Sequence, residues 1–187
     1  MVRMRIAVTG GIASGKSTII EMLRSRGIST LSADILAQDA LWDPAVQDRL
    51  MSRFGTNEPV SPVVLKSLLR QGDENRRAIN RIMHPVIAAN IEDSAALAFE
   101  VPLLFETCLQ TSFDAIWVAK CSREIQLNRL RARYGPSANF DQISWQLDSK
   151  VAVAFADSVI ETGASQEETL ASLLQEGKSW GLTLVVS

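Results

Sequence analysis

A glycine-rich segment near the start of the chain has the composition and spacing of a phosphate-binding loop. Residues 10–17 read Gly-Gly-Ile-Ala-Ser-Gly-Lys-Ser, which satisfies the pattern G-x-x-x-x-G-K-[ST]. The glycines let backbone N–H groups turn toward a polyphosphate, and the positive end of the following helix adds to the attraction for anions. In this pattern Lys16 reaches the β- and γ-phosphates and the Ser17 hydroxyl binds Mg²⁺. We expect the Lys16 side chain to face solvent when no ligand is bound.

The phosphate loop alone fits kinases, GTPases and mechanical ATPases, so other residues must separate these classes. A GTPase is expected to carry N/T-K-x-D for guanine and D-x-x-G for its switch, and the sequence has neither pattern. The GTPase class is therefore disfavoured, and a polyphosphate with Mg²⁺ is the predicted ligand of the loop. The residues predicted to bind it are consecutive: Gly11, Ile12, Ala13, Ser14, Gly15, Lys16, Ser17 and Thr18.

A kinase also needs a carboxylate beside the phosphate loop to orient or deprotonate the acceptor hydroxyl. Asp34 ends the second predicted strand, residues 29–33, and parallel strands present their carboxyl ends to a ligand crevice. Position alone leaves two roles open for Asp34. It is either the general base or the N-cap of the helix that follows it.

Short apolar runs alternate with helical patterns along the chain. This alternation predicts an α/β fold in which a parallel five-stranded sheet is flanked by helices on both faces, as in P-loop kinases. The predicted strands are residues 4–8, 29–33, 97–100, 115–119 and 158–160. The clearest predicted helices are residues 16–26, 73–96, 123–134 and 166–178.

Two longer segments interrupt this alternation inside what we predict to be a single kinase domain, residues 1–187. Residues 35–96 exceed what one crossover helix needs and are predicted to form a helical substrate-binding insertion. Residues 123–156 are rich in arginine, have a break at Gly135-Pro136, and are predicted to form a lid.

Composition excludes several other classes of protein. The 187 residues are 47% hydrophobic and carry a net charge of -2, so the chain has no general electrostatic reason to bind nucleic acid or an anionic membrane. Two cysteines and one histidine make a disulfide scaffold or a structural zinc site unexpected. No signal peptide or membrane-spanning run is found, so we expect a soluble cytoplasmic protein. The oligomeric state is not predicted.

Several motifs together resemble the dephospho-CoA kinase family. They are the loop at residues 9–18, Ala33-Asp34, His84-Pro85, the run Val-Pro-Leu-Leu-Phe-Glu at 101–106, and Ala156-Asp157, in the family's order. The resemblance implies the last step of coenzyme A biosynthesis, in which Mg-ATP phosphorylates the ribose 3′-hydroxyl of dephospho-CoA. It further implies a P-loop kinase fold with a CoA-binding insertion and a lid.

The resemblance also implies roles for individual residues. Lys16 and Ser17 would serve ATP and Mg²⁺, and Asp34 would be the catalytic base. Glu100 stands where the family usually has Asp, and its longer side chain could reach the Mg²⁺ shell through water. The residues implied to contact the substrate are Asp34, His84, Leu103 and Phe105. We interpret His84 as a helix-boundary residue near the substrate rather than a residue that performs chemistry.

Arg129 and Arg133 are implied to be catalytic lid arginines. Four residues apart on a helix, they share a face from which Arg131 points away, so the pair can aim at one phosphate. An ordinary solvated basic face is the alternative. The chain departs from the family pattern at Ala13, Glu100, Gln142 and Thr162, which we expect to affect substrate affinity more than the reaction. Two rival functions stay open: another P-loop kinase, for a nucleoside or small metabolite, and a nucleotide-binding protein that has lost turnover.

Overall fold

A computed structural model of the chain describes residues 4–138 and 149–182. These residues form two compact units, which divide between Leu31 and Ser32 and between Ser94 and Ala95. The first unit combines both ends of the chain, and the second consists of residues 32–94. Gln142 and the rest of residues 139–148, in the middle of the predicted 123–156 lid, lie outside the described residues.

Five strands form one sheet, as the apolar runs predict. They are β1 (Ile6–Thr9), β2 (Thr30–Ser32), β3 (Ala98–Glu100), β4 (Ala115–Lys120) and β5 (Ser158–Glu161). Their order in the sheet is β2-β3-β1-β4-β5, and β1 pairs in parallel with both β3 and β4. β4 in turn pairs in parallel with β5. The carboxyl ends of these strands therefore meet at one edge, which is where a P-loop fold binds its ligand.

Eight α-helices lie among the described residues. They are α1 (Lys16–Arg24), α2 (Ala33–Leu41), α3 (Pro44–Phe54), α4 (Pro62–Arg70), α5 (Asp73–Asp93), α6 (Arg123–Tyr134), α7 (Ser149–Ala154) and α8 (Gln166–Ser179). Local signals explain several ends: Ser122 caps α6, Ser165 and Glu168 form a capping box on α8, and Gly135 ends α6 with a φ of 98°. No helix in the described ranges is both long enough and apolar enough to cross a bilayer.

The core of the first unit lies between the central strands and helices α1 and α8. β1 is fully buried along its length because helices cover a parallel sheet on both faces. Trp117 of β4 is completely buried at the centre of this core. The other buried members of the cluster are Ile6, Val8, Ile19, Ile20, Leu23, Ile28, Ala98, Ala115, Ala119, Ile160 and Leu173.

The second unit consists of helices α2 to α5. Gln47, which is buried, joins two connections of this unit through its side-chain amide. Its Nε2 donates to Leu41 O at 2.6 Å and to Val60 O at 3.1 Å, and its Oε1 accepts from Val60 N at 2.8 Å. Both ends of the amide are therefore satisfied, as burial of a polar group requires.

Helix α5 continues through Pro85, so the interpretation of His84 as a helix-boundary residue is wrong. Proline lacks the N–H that would bond to the carbonyl four residues earlier, which here is Arg81 O. A guanidinium N–H of Arg49, on α3, donates to that carbonyl at 3.5 Å. Pro85 itself is exposed. The helix tolerates the proline because its ring faces outward and a neighbouring side chain serves the carbonyl that the ring leaves unpaired.

Candidate active site

The phosphate loop occupies the turn between β1 and α1, as predicted. Gly15 precedes the first residue of α1 with left-handed backbone angles, φ 96° and ψ 15°. It has no side chain that could cap the helix, so the N–H groups of the first turn stay available to an anion. Ala13 also has a positive φ, 55°, at a position where the related family usually has glycine. The loop therefore keeps its left-handed turn with alanine.

The expectation that Lys16 faces solvent is wrong. The side chain is only 8% exposed, and its Nζ donates to Gly10 O at 2.9 Å and to Gly11 O at 2.8 Å. Lys16 is the first residue of α1, directly after the loop, so its ammonium group is within hydrogen-bonding distance of the loop carbonyls. The charge is thus already inside the phosphate site.

Ser17 and Glu100, the two predicted metal ligands, lie together. The Ser17 hydroxyl donates to Glu100 Oε1 at 2.8 Å, which joins the first turn of α1 to the end of β3. Ser17 is exposed and Glu100 half-buried, so both oxygens are accessible. Mg²⁺ is usually held by one or two protein oxygens together with substrate phosphates and water. This pair fits that requirement, while the described ranges contain no group of three or more His, Cys, Asp or Glu side chains that could hold a metal ion.

Arg129 contacts the phosphate loop. One of its guanidinium nitrogens, Nη1, donates to Ala13 O at 3.4 Å, and the other, Nη2, donates to Thr162 O at 2.6 Å. Arg133, one turn later on α6, is exposed, and its guanidinium lies 5.3 Å from the ring centroid of Tyr134. Arg131 is also exposed. Of the two predicted lid arginines, only Arg129 is seen bonded to the loop backbone.

Two residues that the sequence did not single out for this site also hold the loop. Gln126, one turn before Arg129 on α6, donates from Nε2 to Ile12 O at 3.1 Å. Thr162, directly after β5, donates its hydroxyl to Ser14 O. Thr162 was noted only as a departure from a family pattern. A small hydroxyl residue that ends a strand at the ligand edge of the sheet was the available signal.

A small cleft borders the phosphate loop. It is lined by Thr9, Gly10, Gly11, Pro102, Phe105, Glu106 and Ala152. The ring of Phe105 lies against that of Phe155, with centroids 5.9 Å apart. Of the two substrate residues predicted in this segment, Phe105 lines the cleft, whereas Leu103 is half-buried and its carbonyl accepts from Thr107 N and Oγ1.

The two other predicted substrate residues, Asp34 and His84, belong to the second unit. Asp34 is exposed in the first turn of α2, and the N-cap of that helix is Ser32, whose hydroxyl accepts from Asp34 N at 3.3 Å. The alternative role of Asp34 as N-cap is therefore wrong, since Ser32 fills it. His84 is half-buried on α5, and burial lowers its pKa below the ordinary value of 6.5. Its imidazole is consequently neutral near pH 7.

Comparison with known proteins agrees with these features. A family model described as dephospho-CoA kinase matches residues 4–168. A dephospho-CoA kinase of Oceanobacillus iheyensis is 29% identical, over 95% of this chain and 98% of its own. One of Fusobacterium nucleatum is 32% identical, over 88% and 92%. A protein of solved structure from Thermus thermophilus has the same fold, with a TM-score of 0.80 at 23% identity over 96% and 98% of the two chains. The chain belongs to the dephospho-CoA kinase family.

Proposed function

We propose that this chain transfers the γ-phosphoryl group of ATP to the ribose 3′-hydroxyl of dephospho-CoA, which yields coenzyme A and ADP. The observation that carries the proposal is the Ser17–Glu100 pair beside a complete phosphate loop, in a chain that belongs to this kinase family. The loop supplies a polyphosphate site, and the pair supplies hard oxygens where the triphosphate would bring a metal.

The phosphate loop binds ATP through residues 11–18. Backbone N–H groups of the loop and of the first turn of α1 point at the phosphates, and the positive end of the helix dipole lies behind them. Lys16 adds a full charge that is already held at the loop, 2.8 Å from Gly11 O. Phosphoryl transfer depends mainly on positioning and charge stabilisation, so this convergence is the main contribution of the chain to the reaction.

Ser17 and Glu100 would hold Mg²⁺. When bound, the metal neutralises charge that develops on the phosphate oxygens during transfer. Ser17 offers its hydroxyl oxygen, and Glu100 offers a carboxylate oxygen either directly or through water. The hydrogen bond between them sets both side chains at the metal's position in advance.

Asp34 acts as the general base in this proposal. Its carboxylate accepts the proton of the 3′-hydroxyl as the new O–P bond forms, and the bond between the γ-phosphorus and the bridging oxygen breaks so that ADP leaves. This assignment is supported by chain order, because Asp34 is the second residue after β2, and by its exposed carboxylate in a helix whose cap is another residue.

Arg129 and Arg133 supply further positive charge to the transferred group, with Arg129 set against the loop itself. We assign dephospho-CoA binding to the insertion predicted at residues 35–96, with His84 as a contact, and to Leu103 and Phe105, which lie outside that insertion. Segment 123–156 is assigned as the lid. Two cysteines without a disulfide and these substrates favour a cytoplasmic location.

The test is a coupled assay of ADP release with dephospho-CoA, adenosine or gluconate as acceptor. We expect ADP release to depend on dephospho-CoA, and Lys16→Ala to lower it by more than about tenfold, or about 1.4 kcal/mol of barrier. Lys178→Ala, at an exposed lysine of α8, is the matched control and should keep the parental rate. Preference for adenosine or gluconate would indicate a different small-molecule kinase. ATP binding without ADP release on any acceptor would indicate a binding protein.

A further inference from the structure

Three successive carbonyl groups of the phosphate loop each accept a hydrogen bond from a side chain outside the loop. Gln126 Nε2 donates to Ile12 O at 3.1 Å, Arg129 Nη1 to Ala13 O at 3.4 Å, and the Thr162 hydroxyl to Ser14 O. We call these three side chains, Gln126, Arg129 and Thr162, the collar. Two members lie on α6 and the third directly follows β5.

The collar acts on the side of the loop that faces away from a ligand. A loop that binds phosphate must point its N–H groups inward, and the carbonyls of the same peptide units must then point outward. If such a carbonyl has no hydrogen-bond partner, its peptide unit can rotate. The rotated peptide unit would present its negative oxygen to the phosphate. Hydrogen bonds to Ile12, Ala13 and Ser14 therefore fix the polarity of the loop before ATP arrives.

Thr162 is the central member of the collar. It is 2% exposed, and its N–H donates to Lys120 O at 2.7 Å, which anchors it to the end of β4. Its hydroxyl also lies 3.1 Å from Lys120 O. A hydroxyl donates one hydrogen, and of its two contacts the one to Ser14 O is the shorter. The Thr162 carbonyl in turn accepts from Arg129 Nη2 at 2.6 Å.

The side chain of Thr162 also packs closely around Gly15, the residue that precedes α1. A Cβ built on Gly15 would lie 2.9 Å from both Thr162 Cβ and Thr162 Oγ1. Thr162 thus touches the loop at two consecutive residues, Ser14 through its hydroxyl and Gly15 through its surface. Thr162 can fix the conformation of the loop only if Thr162 itself is held in place. Its backbone hydrogen bond to Lys120 O and its burial both hold it there.

We propose that Thr162 is a positioning residue for phosphoryl transfer, which keeps the Ser14 carbonyl turned outward and holds Arg129 against the loop. The proposal rests on the proposed function in that the loop is taken to bind the phosphates of ATP. Thr162 touches no reacting atom and acts through the loop backbone and the arginine. Its loss should therefore weaken the affinity for nucleotide more than it slows turnover at saturating ATP.

The test compares two substitutions of Thr162 that separate the effect of its hydroxyl from the effect of its shape. Thr162→Val keeps the shape and removes the hydroxyl, whereas Thr162→Ser keeps the hydroxyl and removes a methyl group. Calorimetry with ADP should show affinity about tenfold lower for Thr162→Val, since a loop carbonyl loses its partner, and affinity near the parental value for Thr162→Ser. The KM for ATP should rise with the dissociation constant.

Thr169→Val is the matched control, because Thr169 is also 2% exposed but lies on α8. It should lower the melting temperature without changing the affinity for ADP. Gln126→Leu, at a half-buried surface position, supplies a second collar variant if Thr162→Val does not fold, and it should also weaken ADP binding while the melting temperature is kept.

Three results would overturn the proposal. One is a Thr162→Val or, if that variant does not fold, a Gln126→Leu protein with parental ADP affinity, whatever its melting temperature. Another is a Thr162→Ser protein as weak as Thr162→Val. A third is a parental protein that does not bind ADP. ADP binding needs no acceptor, so a chain whose ADP affinity depends on the collar but which does not phosphorylate dephospho-CoA would contradict the proposed function and leave the positioning role standing.

Discussion

Replacement of Gly15 by alanine tests how tightly the phosphate loop is packed against the end of β5. Gly15 directly precedes α1 and Gly27 lies three residues after its end, and both have positive φ, 96° and 82°. They differ in their surroundings. A Cβ on Gly15 would meet Thr162 at 2.9 Å, whereas a Cβ on Gly27 would meet nothing within 4 Å. Gly27→Ala therefore measures the backbone cost alone, and Gly15→Ala adds the cost of contact.

The expected magnitudes follow from these two costs. An alanine in a left-handed conformation costs about 1–2 kcal/mol, which is the whole effect predicted for Gly27→Ala. Contact at 2.9 Å requires Thr162 to shift, and its N–H bond to Lys120 O and its hydroxyl bond to Ser14 O hold it in place. Overpacking of this kind adds about 1–3 kcal/mol, so Gly15→Ala should cost about 2–5 kcal/mol in total.

Urea unfolding followed by circular dichroism gives the free energy of unfolding of each variant beside the parent. ADP affinity, measured on the same preparations, should fall for Gly15→Ala and stay parental for Gly27→Ala. Equal losses of stability in the two variants would refute the tight contact between the loop and Thr162. Parental ADP affinity in Gly15→Ala would refute the placement of the phosphates at this loop.

Three further predictions concern the metal pair, the base and the one histidine. Glu100→Gln should raise the Mg²⁺ concentration for half-maximal activity by about tenfold, because a charged carboxylate oxygen is lost. Glu100→Asp should keep that concentration near the parental value. Equal Mg²⁺ dependence in the two variants would contradict the role of Glu100 at the metal. Asp34→Asn should lower kcat by about 10²–10⁴-fold with little change in ATP affinity. Asp39→Asn, at an exposed position of the same helix, is the control and should have parental kcat. Near-parental kcat in Asp34→Asn would show that Asp34 is not the base. Burial lowers the pKa of His84 below 6.5, so the unfolded chain binds a proton more readily than the folded chain, and the free energy of unfolding should fall as the pH drops below that value. In urea titrations, His84→Gln should show a weaker fall between about pH 7.5 and about pH 5.5. An unchanged fall would contradict the lowered pKa of His84.

The fold was largely predictable because its signals are local. Each of the five strands lies within a residue or two of an apolar run bounded by polar or turn residues, and α6 has the predicted bounds, Arg123–Tyr134. The phosphate loop was recognisable for the same reason, since its glycines, lysine and serine are contiguous. Ser17 and Glu100 were predicted as metal ligands separately, and the pairing of β1 with β3 brings them to one edge.

What the sequence did not predict depends on contacts between distant positions. Thr162 and Ser14 lie 148 residues apart, and only the sheet order places the end of β5 against the loop. The burial of Lys16 depends on the loop carbonyls having folded over it. The passage of α5 through Pro85 depends on a guanidinium from α3 that reaches the carbonyl of Arg81. Of these partners, only Thr162 has a local signal, as a small hydroxyl residue directly after a strand.

The phosphate site and its metal pair are proposed to serve the phosphorylation of dephospho-CoA. The most direct measurement counts ADP released and coenzyme A formed in the same reaction, with the product identified by mass spectrometry and by ³¹P NMR of the ribose phosphate. We expect one ADP for each coenzyme A, phosphate at the ribose 3′ position, and loss of both products in Lys16→Ala. ADP release without coenzyme A, or coenzyme A formation that survives in Lys16→Ala at the parental rate, would contradict it.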